Sequence, residues 1–211
     1  MQNTLIDNLG SDPRQYREMM QLYDGAIREV RTKLEVLKGE FGVRYARNPI
    51  HSIESRLKSA ESIVDKLRRK GVEPTLEAAE EYLTDIAGVR VVCSFVDDIY
   101  RVADLLTRQR DVELVETADY IKNPKPSGYR SLHLIIRIPV FLSSHTEIVP
   151  VEVQIRTLAM DFWATLEHQL RYKSDQETTR ALRKRLCRCA DISAALDEEM
   201  QQISREIISD S

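Results

Sequence analysis

Glycine and proline are scarce, with seven of each in 211 residues. Low-complexity linkers are therefore not expected. Cysteine is rarer still: Cys93, Cys187 and Cys189 are the three present. An odd count without framework spacing argues against a disulfide scaffold and for a reducing compartment. Cys187 and Cys189 lack the second Cys/His pair of a metal site and read as helix positions. No apolar run approaches the roughly 18 residues of a membrane span. The opening MQNTLIDNLG has no basic segment followed by an apolar one, so no signal peptide is read and a soluble cytoplasmic protein is expected. Net charge is only −3, so duplex nucleic acid is not an indicated partner. There is no GxxxxGK[ST] loop and no kinase signature, so the common nucleotide folds are not indicated.

What is present is a core and a great deal of charge. Hydrophobic residues make up 42% and charged residues 31%, which suits long solvated helices around one compact α/β domain spanning 1–211. Tyr16, Met20, Tyr23, Ile27, Val30, Leu34, Leu37 and Phe41 recur every three or four positions and predict a helix over 13–42, with Ser11 as N-cap. A second helix is expected from Pro49, its apolar face made by Ile53, Leu57, Ala60, Val64 and Leu67 and its end by Gly71. A short third helix follows over 75–83. The period then changes. IAGVRVVCSF (86–95) reads as a buried strand, VDDIYRVADLLTRQ as a helix, and VELVETADYI, SLHLIIRIPVF and EIVPVEVQIRT as three more strands. Helices over 157–173 and 177–208 close the chain, the last with Leu182, Leu186, Cys189, Leu196, Met200, Ile203 and Ile207 on one stripe. The layout is ααα-βαβββ-αα, a mixed sheet covered by helices with long helices at both ends. The terminal stripes pack within the chain or against a second copy.

Polar residues interrupt this pattern at telling places. In VPVEVQIRT the alternation is strict: Val151, Val153 and Ile155 face one way, Glu152, Gln154 and Arg156 the other. His133 and Arg137 repeat the pattern one strand back. Neighbouring strands would join these polar faces into the floor of a cleft, although a wet outer sheet face explains each strand alone. Asp85 stands at the mouth of the strand 86–95, and Arg90 is the one charge inside it, where an unpaired guanidinium is costly. Lys58, Ser62 and Lys66 are spaced by four, with Arg56 upstream and Arg69 beyond, a solvated face or a grip for a chain of phosphates. The loop PKPSGYRSLH (124–133) concentrates Lys125, Tyr129, Arg130 and His133 beside Gly128. A ring for a base and cations for phosphates is what a nucleotide site requires. Two acids able to share Mg²⁺, a strand arginine, a basic stripe and this loop together suggest phosphoryl-type transfer.

In order and spacing, DIAGVRVVCSFVDDI, SGYRSLHL, VEVQIRT and FWATLEHQLRYK closely resemble the small alarmone synthetases, single-domain relatives of the RelA/SpoT enzymes. The resemblance covers roughly residues 20–200. It implies a nucleotidyltransferase-like mixed sheet, a homotetramer, and transfer of the β,γ-pyrophosphate of ATP to the 3′-hydroxyl of GDP or GTP, giving AMP and ppGpp or pppGpp. Asp85 and Glu152 would hold Mg²⁺, and Glu152 would also activate the hydroxyl. Arg56 and Arg90 would sandwich the adenine, while Lys58, Ser62 and Lys66 would grip the ATP phosphates. Tyr129 would stack on guanine, Lys125 and His133 would contact the acceptor or the transferred group, and Gln154 would line the acceptor pocket. Trp163 reads as a core residue tying its helix to the sheet; Glu167 and His168 are assigned no chemistry.

None of the four histidines is followed by Asp, so the His-Asp hydrolase motif of the long relatives is missing and synthesis without hydrolysis is expected. Two other readings stay open: a same-fold toxic enzyme acting on tRNA 3′-ends or making adenosine alarmones, with Arg180, Arg183, Lys184, Arg185 and Arg188 as its basic patch, and a silent nucleotide-sensing or RNA-binding module. The acids Asp191, Asp197, Glu198 and Glu199 count against the first, and retention of Asp85 and Glu152 against the second. Some family members are activated by alarmone in a cleft whose matching positions here are Glu35, Ser52 and Asp161; those members carry a cation, an aromatic and an amide there. Two anions would repel a polyphosphate. Adding pppGpp at saturating substrates is therefore expected to leave the rate unchanged in a steady-state assay; a severalfold rise would refute this.

Overall fold

The computed structural model describes residues 12–45, 47–173 and 180–209. Helix α1 (Pro13–Arg44) is capped by Asp12, whose carboxylate accepts from the Arg14 backbone N–H, with proline in its first turn. The predicted cap, Ser11, lies outside the described residues. The apolar stripe expected of α1 is the face it buries, through Tyr23, Ile27, Val30, Leu34 and Phe41. Strand β1 (Ile50–Leu57) follows, then α2 (Ala60–Arg69), α3 (Leu76–Tyr82), β2 (Ala87–Cys93) and α4 (Val96–Thr107). Strands β3 (Glu113–Asp119), β4 (Leu132–Phe141) and β5 (Thr146–Thr157) lead into α5 (Leu158–Lys173) and α6 (Arg180–Ser209).

The predicted second helix is a correction. Residues 50–57 form a strand, and the helix starts only at Ala60, where the Ser59 hydroxyl accepts from the Ser62 N–H at 3.3 Å. The reason is local. The pairing of β1 with β2 shifts register between Ile50 and Ser52, so the buried residues Ile50 and Ile53 fall three apart. Ile53 and Leu57 also continue the three-and-four spacing of the helix stripe Ala60, Val64 and Leu67 back into the strand. Lys58 consequently precedes α2 rather than sitting on it, while Ser62 and Lys66 are helical. Gly71, with φ of +72°, ends the segment as expected.

The five strands form one mixed sheet in the order β1-β2-β5-β4-β3. Only β2 and β5 run parallel; the other neighbours are antiparallel. The fold class expected from the sequence is the one observed. One sheet face carries Val89, Val91, Leu132, Leu134, Ile136, Val151, Val153 and Ile155, all buried in one core with α1 and α4. The opposite face carries the polar residues. No helix among the described residues is long and apolar enough to cross a membrane.

Helix α6 is docked largely by polar contacts. Trp163 donates its indole N–H to the Leu186 carbonyl at 3.0 Å, so it ties α5 to α6 rather than to the sheet. Thr157 donates to buried Asp197 at 2.6 Å, and Gln201 accepts from the Asp97 N–H at 2.9 Å. Leu196, Met200, Ile203 and Ile207, from the predicted stripe, are exposed. Burial pushes the Asp197 carboxyl above its ordinary range, and the Thr157 hydrogen bond and Arg130 charge do not reverse this. A carboxyl raised on folding loses stability as pH climbs from its unfolded value through its folded one. Asp197→Asn keeps an oxygen for Thr157 without the charge. It is expected to raise Tm at neutral pH, with the gain fading below about pH 4; an equal gain at every pH in thermal melts would refute the charge argument.

Candidate functional site

The polar sheet face is organised by strand register into two adjacent rows. In the first, Arg56 pairs with Gly88, Gly88 with Glu152, and Glu152 with Ile135. In the second, Glu54 pairs with Arg90, Arg90 with Gln154, and Gln154 with His133. Gly88 contributes no side chain, so a gap opens between Arg56 and Glu152. A cleft of about 180 Å³ lies there, lined by Arg56, Asp85, Gly88, Arg90, Glu152 and Gln154 among others. A second cleft of about 340 Å³ shares Arg56, Arg90 and Gln154 with it and adds Tyr129, Arg156 and one side of α5. The structure thus gathers most of the predicted residues around two joined spaces.

Asp85, just ahead of β2, is held by two lysines. Lys58 and Lys66 each reach its Oδ2 at 2.7 Å, one from the end of β1 and one from α2. Burial raises the Asp85 carboxyl, but the hydrogen bonds and charges of these lysines outweigh it and leave the group below its ordinary range. Its other oxygen, Oδ1, is buried without a hydrogen-bond partner. Glu152 faces the same cleft. Burial also raises its carboxyl, and hydrogen bonds from His133 and Gln154 reverse the shift despite the nearby Asp85. Both carboxylates are therefore ionised at neutral pH. A partnerless carboxylate oxygen beside a second carboxylate suits a hard divalent cation. Among the described residues no cluster of three or more His, Cys, Asp or Glu forms, so phosphate oxygens of a ligand would have to complete such a shell.

Arg90 answers the question its sequence position raised. It reaches Glu54 and Asp161, both at 3.5 Å, and its Nε is buried without a partner. Arg56, exposed on β1, lies over Gly88, where an added Cβ would come within 3.7 Å of the Arg56 Cγ. The two guanidiniums therefore stand on adjacent strands at the border of both clefts. Ser62 is exposed in the first turn of α2, its hydroxyl 3.0 Å from that of Ser59. The start of α2 presents N–H groups and a positive dipole end toward an anion. Asp161 pairs with Arg156 and Arg90, and Glu35 with Arg31, so both anions read from the sequence have cationic partners within the chain.

The loop before β4 is built around Gly128. Its N–H closes a turn on the Lys125 carbonyl at 2.8 Å, with φ of +91°. A Cβ there would lie 2.6 Å from that of Ala190, so the loop rests directly on α6. Arg130, read from the sequence as one of the loop's cations, secures that contact through the Ala190 carbonyl and Asp191, both at 3.3 Å. Tyr129 packs against Trp163 and Ala190. Its hydroxyl meets His133 Nε2 at 2.8 Å, and His133 Nδ1 meets Glu152 at 3.1 Å. The Lys125 ammonium lies 5.1 Å from the Tyr129 ring centre and 4.3 Å from that of Tyr120. Sequence reasoning missed two members. Tyr120 edges against both Tyr129 and His133, and nothing in VELVETADYI marks it out. Arg156 was visible as the third polar residue of VEVQIRT, yet it is buried rather than a rim group.

Residues 55–177 match the family described as a region found in RelA/SpoT proteins. The chain is 44% identical to GTP pyrophosphokinase YwaC of Bacillus subtilis over 97% of both chains. The crystal structure of small alarmone synthetase 1 from Bacillus subtilis bound to its product pppGpp superposes with a TM-score of 0.85 at 39% identity, covering 92% of this chain and 98% of that one. The same enzyme bound to AMPCPP gives a TM-score of 0.78 at 34% identity, over 92% and 98% of the two chains. With four motifs in order, a sheet of matching topology and near-complete coverage, the chain belongs to the RelA/SpoT family and, within it, to the small alarmone synthetases.

Proposed function

We propose that this chain is a GTP pyrophosphokinase, moving the β,γ-pyrophosphate of ATP to the 3′-hydroxyl of GDP or GTP and releasing AMP with ppGpp or pppGpp. The observation that carries the reading is the pair of joined clefts, one holding two ionised carboxylates and the other an aromatic clamp, with two arginines on their shared border. The name of YwaC and the product bound to small alarmone synthetase 1 support the same chemistry.

In this reading Arg56 and Arg90 stack on the adenine, since guanidinium planes suit a flat base. Lys58, Ser62 and Lys66 bind the ATP phosphates at the start of α2. Both lysines rest on Asp85 in the free protein, so a triphosphate replaces one anion by another rather than filling an uncompensated cationic site. Tyr129 stacks on guanine, Lys125 and His133 contact the acceptor or the moving group, and Gln154 lines the acceptor pocket. Magnesium held by Asp85 and Glu152 would supply charge neutralisation on the phosphates when bound. Glu152, ionised, takes the proton of the 3′-hydroxyl. The 3′-oxygen bonds to the β-phosphorus, the bond from that phosphorus to the bridging oxygen of the α-phosphate breaks, and AMP leaves with the electron pair. The exposed stripe on α6 supports a homo-oligomer, a tetramer by family resemblance. Synthesis without hydrolysis, in one domain and in the cytoplasm, completes the proposal.

With Mg²⁺, γ-labelled ATP and GDP or GTP, wild-type protein is expected to move label into a guanosine tetra- or pentaphosphate. Glu152→Gln is expected to lower the rate by at least about 100-fold, within the range that general base catalysis supplies. Label that stays on ATP with both guanine nucleotides would refute the function, and transfer to tRNA instead would replace the acceptor.

A further inference from the structure

One guanidinium nitrogen stands behind the whole acceptor side. Arg156 Nη2 donates to the Tyr129 hydroxyl at 2.5 Å and to Gln154 Oε1 at 2.8 Å. Tyr129 passes the contact to His133 and His133 to Glu152 Oε1, at 2.8 and 3.1 Å. Gln154 passes it to Glu152 Oε2 through its Nε2 at 2.8 Å. Two arms therefore leave one nitrogen and converge on the two oxygens of one carboxylate, closing a ring.

The chemistry of the ends fixes the direction of the middle. Arginine only donates and an ionised carboxylate only accepts. The Gln154 amide must then aim its oxygen at Arg156 and its nitrogen at Glu152; turned over, N–H would face N–H and oxygen would face oxygen. The Tyr129 hydroxyl accepts from Arg156, which leaves its own proton for His133 Nε2. An imidazole with one proton, on Nδ1, then gives every donor an acceptor. Arg156 is itself fixed by Asp161 at 3.2 Å and Ser131 at 3.4 Å, and it is 5% exposed.

We propose that Arg156 is a positioning residue that sets the hydrogen-bond direction of Tyr129, His133 and Gln154 and so aims the Glu152 carboxylate at the acceptor hydroxyl. The inference rests on the pyrophosphotransfer reading above and adds two points to it. Arg156 acts through other residues, and Tyr129 contributes its hydroxyl as well as its ring. A rival role exists, because Arg156 also borders the second cleft, where direct contact with the acceptor would make it a binding residue.

A kinetic double-mutant cycle with Arg156→Lys and Tyr129→Phe separates these roles, varying ATP and GDP independently. Lysine keeps the charge but cannot serve Tyr129, Gln154, Ser131 and Asp161 together. Each single variant is expected to lower kcat about tenfold or more, with KM for ATP within about twofold of wild type. The double variant should be no worse than the weaker single by more than about threefold, because both break one link. Additive losses, or a rise in KM for GDP alone, would overturn the positioning role. Should the lysine variant fail to fold, Tyr129→Phe alone decides: it keeps the ring, so wild-type kcat would overturn the proposal and a kcat loss at unchanged KM for GDP would support it. A wild type that transfers no label would instead remove the proposed function. The ring is then read from thermal unfolding of the same variants, where non-additive destabilisation is expected and additivity would refute the link.

Discussion

The parallel pairing of β2 with β5 at the centre of the sheet fixes the register on which every charged group of the cleft depends. It places Gly88 beside Glu152 and Arg90 beside Gln154. Side chains alternate along a strand, so a slip of one residue would send these groups into the core and bring Val89 and Val153 out to water. The register is defended by what lies on the other side. Val89, Val91, Val151, Val153 and Ile155 are almost completely buried, and each would lose that burial in a slipped sheet. The apolar face thus specifies the position of the polar one.

The cleft of the free protein is balanced internally. Asp85 sits between two lysines, Glu152 between His133 and Gln154, and Asp161 between Arg90 and Arg156. Partly buried charges are costly when single and tolerable in pairs. The pairing therefore holds the charged groups of the cleft in place. Among the described residues, Asp85 Oδ1 and Arg90 Nε are the buried polar side-chain atoms without partners, and both belong to residues lining the first cleft.

Much of this was legible in the sequence because two periods differ. The 3.6-residue stripe of α1 and the strict alternation of VPVEVQIRT each admit one structure, and the alternation named Glu152 and Gln154 directly. The stretch 50–57 was misread because Ile53 and Leu57 carry the spacing of the following helix stripe, Ala60, Val64 and Leu67, back into the strand. Local pattern cannot separate those cases; only the pairing with β2 does. Arg156 was seen on the polar face but not as its anchor, since burial depends on Ser131, Asp161 and the packing of α5. Tyr120 is set by the return of the chain beside β4. Its contacts with Tyr129 and His133 arise because the chain turns back between β3 and β4, and residue spacing alone does not show which rings that turn brings together.

Gly128 against Ala190 has a consequence for how the molecule is made. The loop that carries Tyr129 takes its height from a helix that begins some fifty residues later, at a contact with no room for even a methyl group. During synthesis from the N-terminus the sheet and both carboxylates exist before that helix does. The nascent chain therefore holds Asp85 and Glu152 before the part that seats the loop. Helix α6 closes that contact, and the seat of the Tyr129 loop is complete only once α6 has emerged.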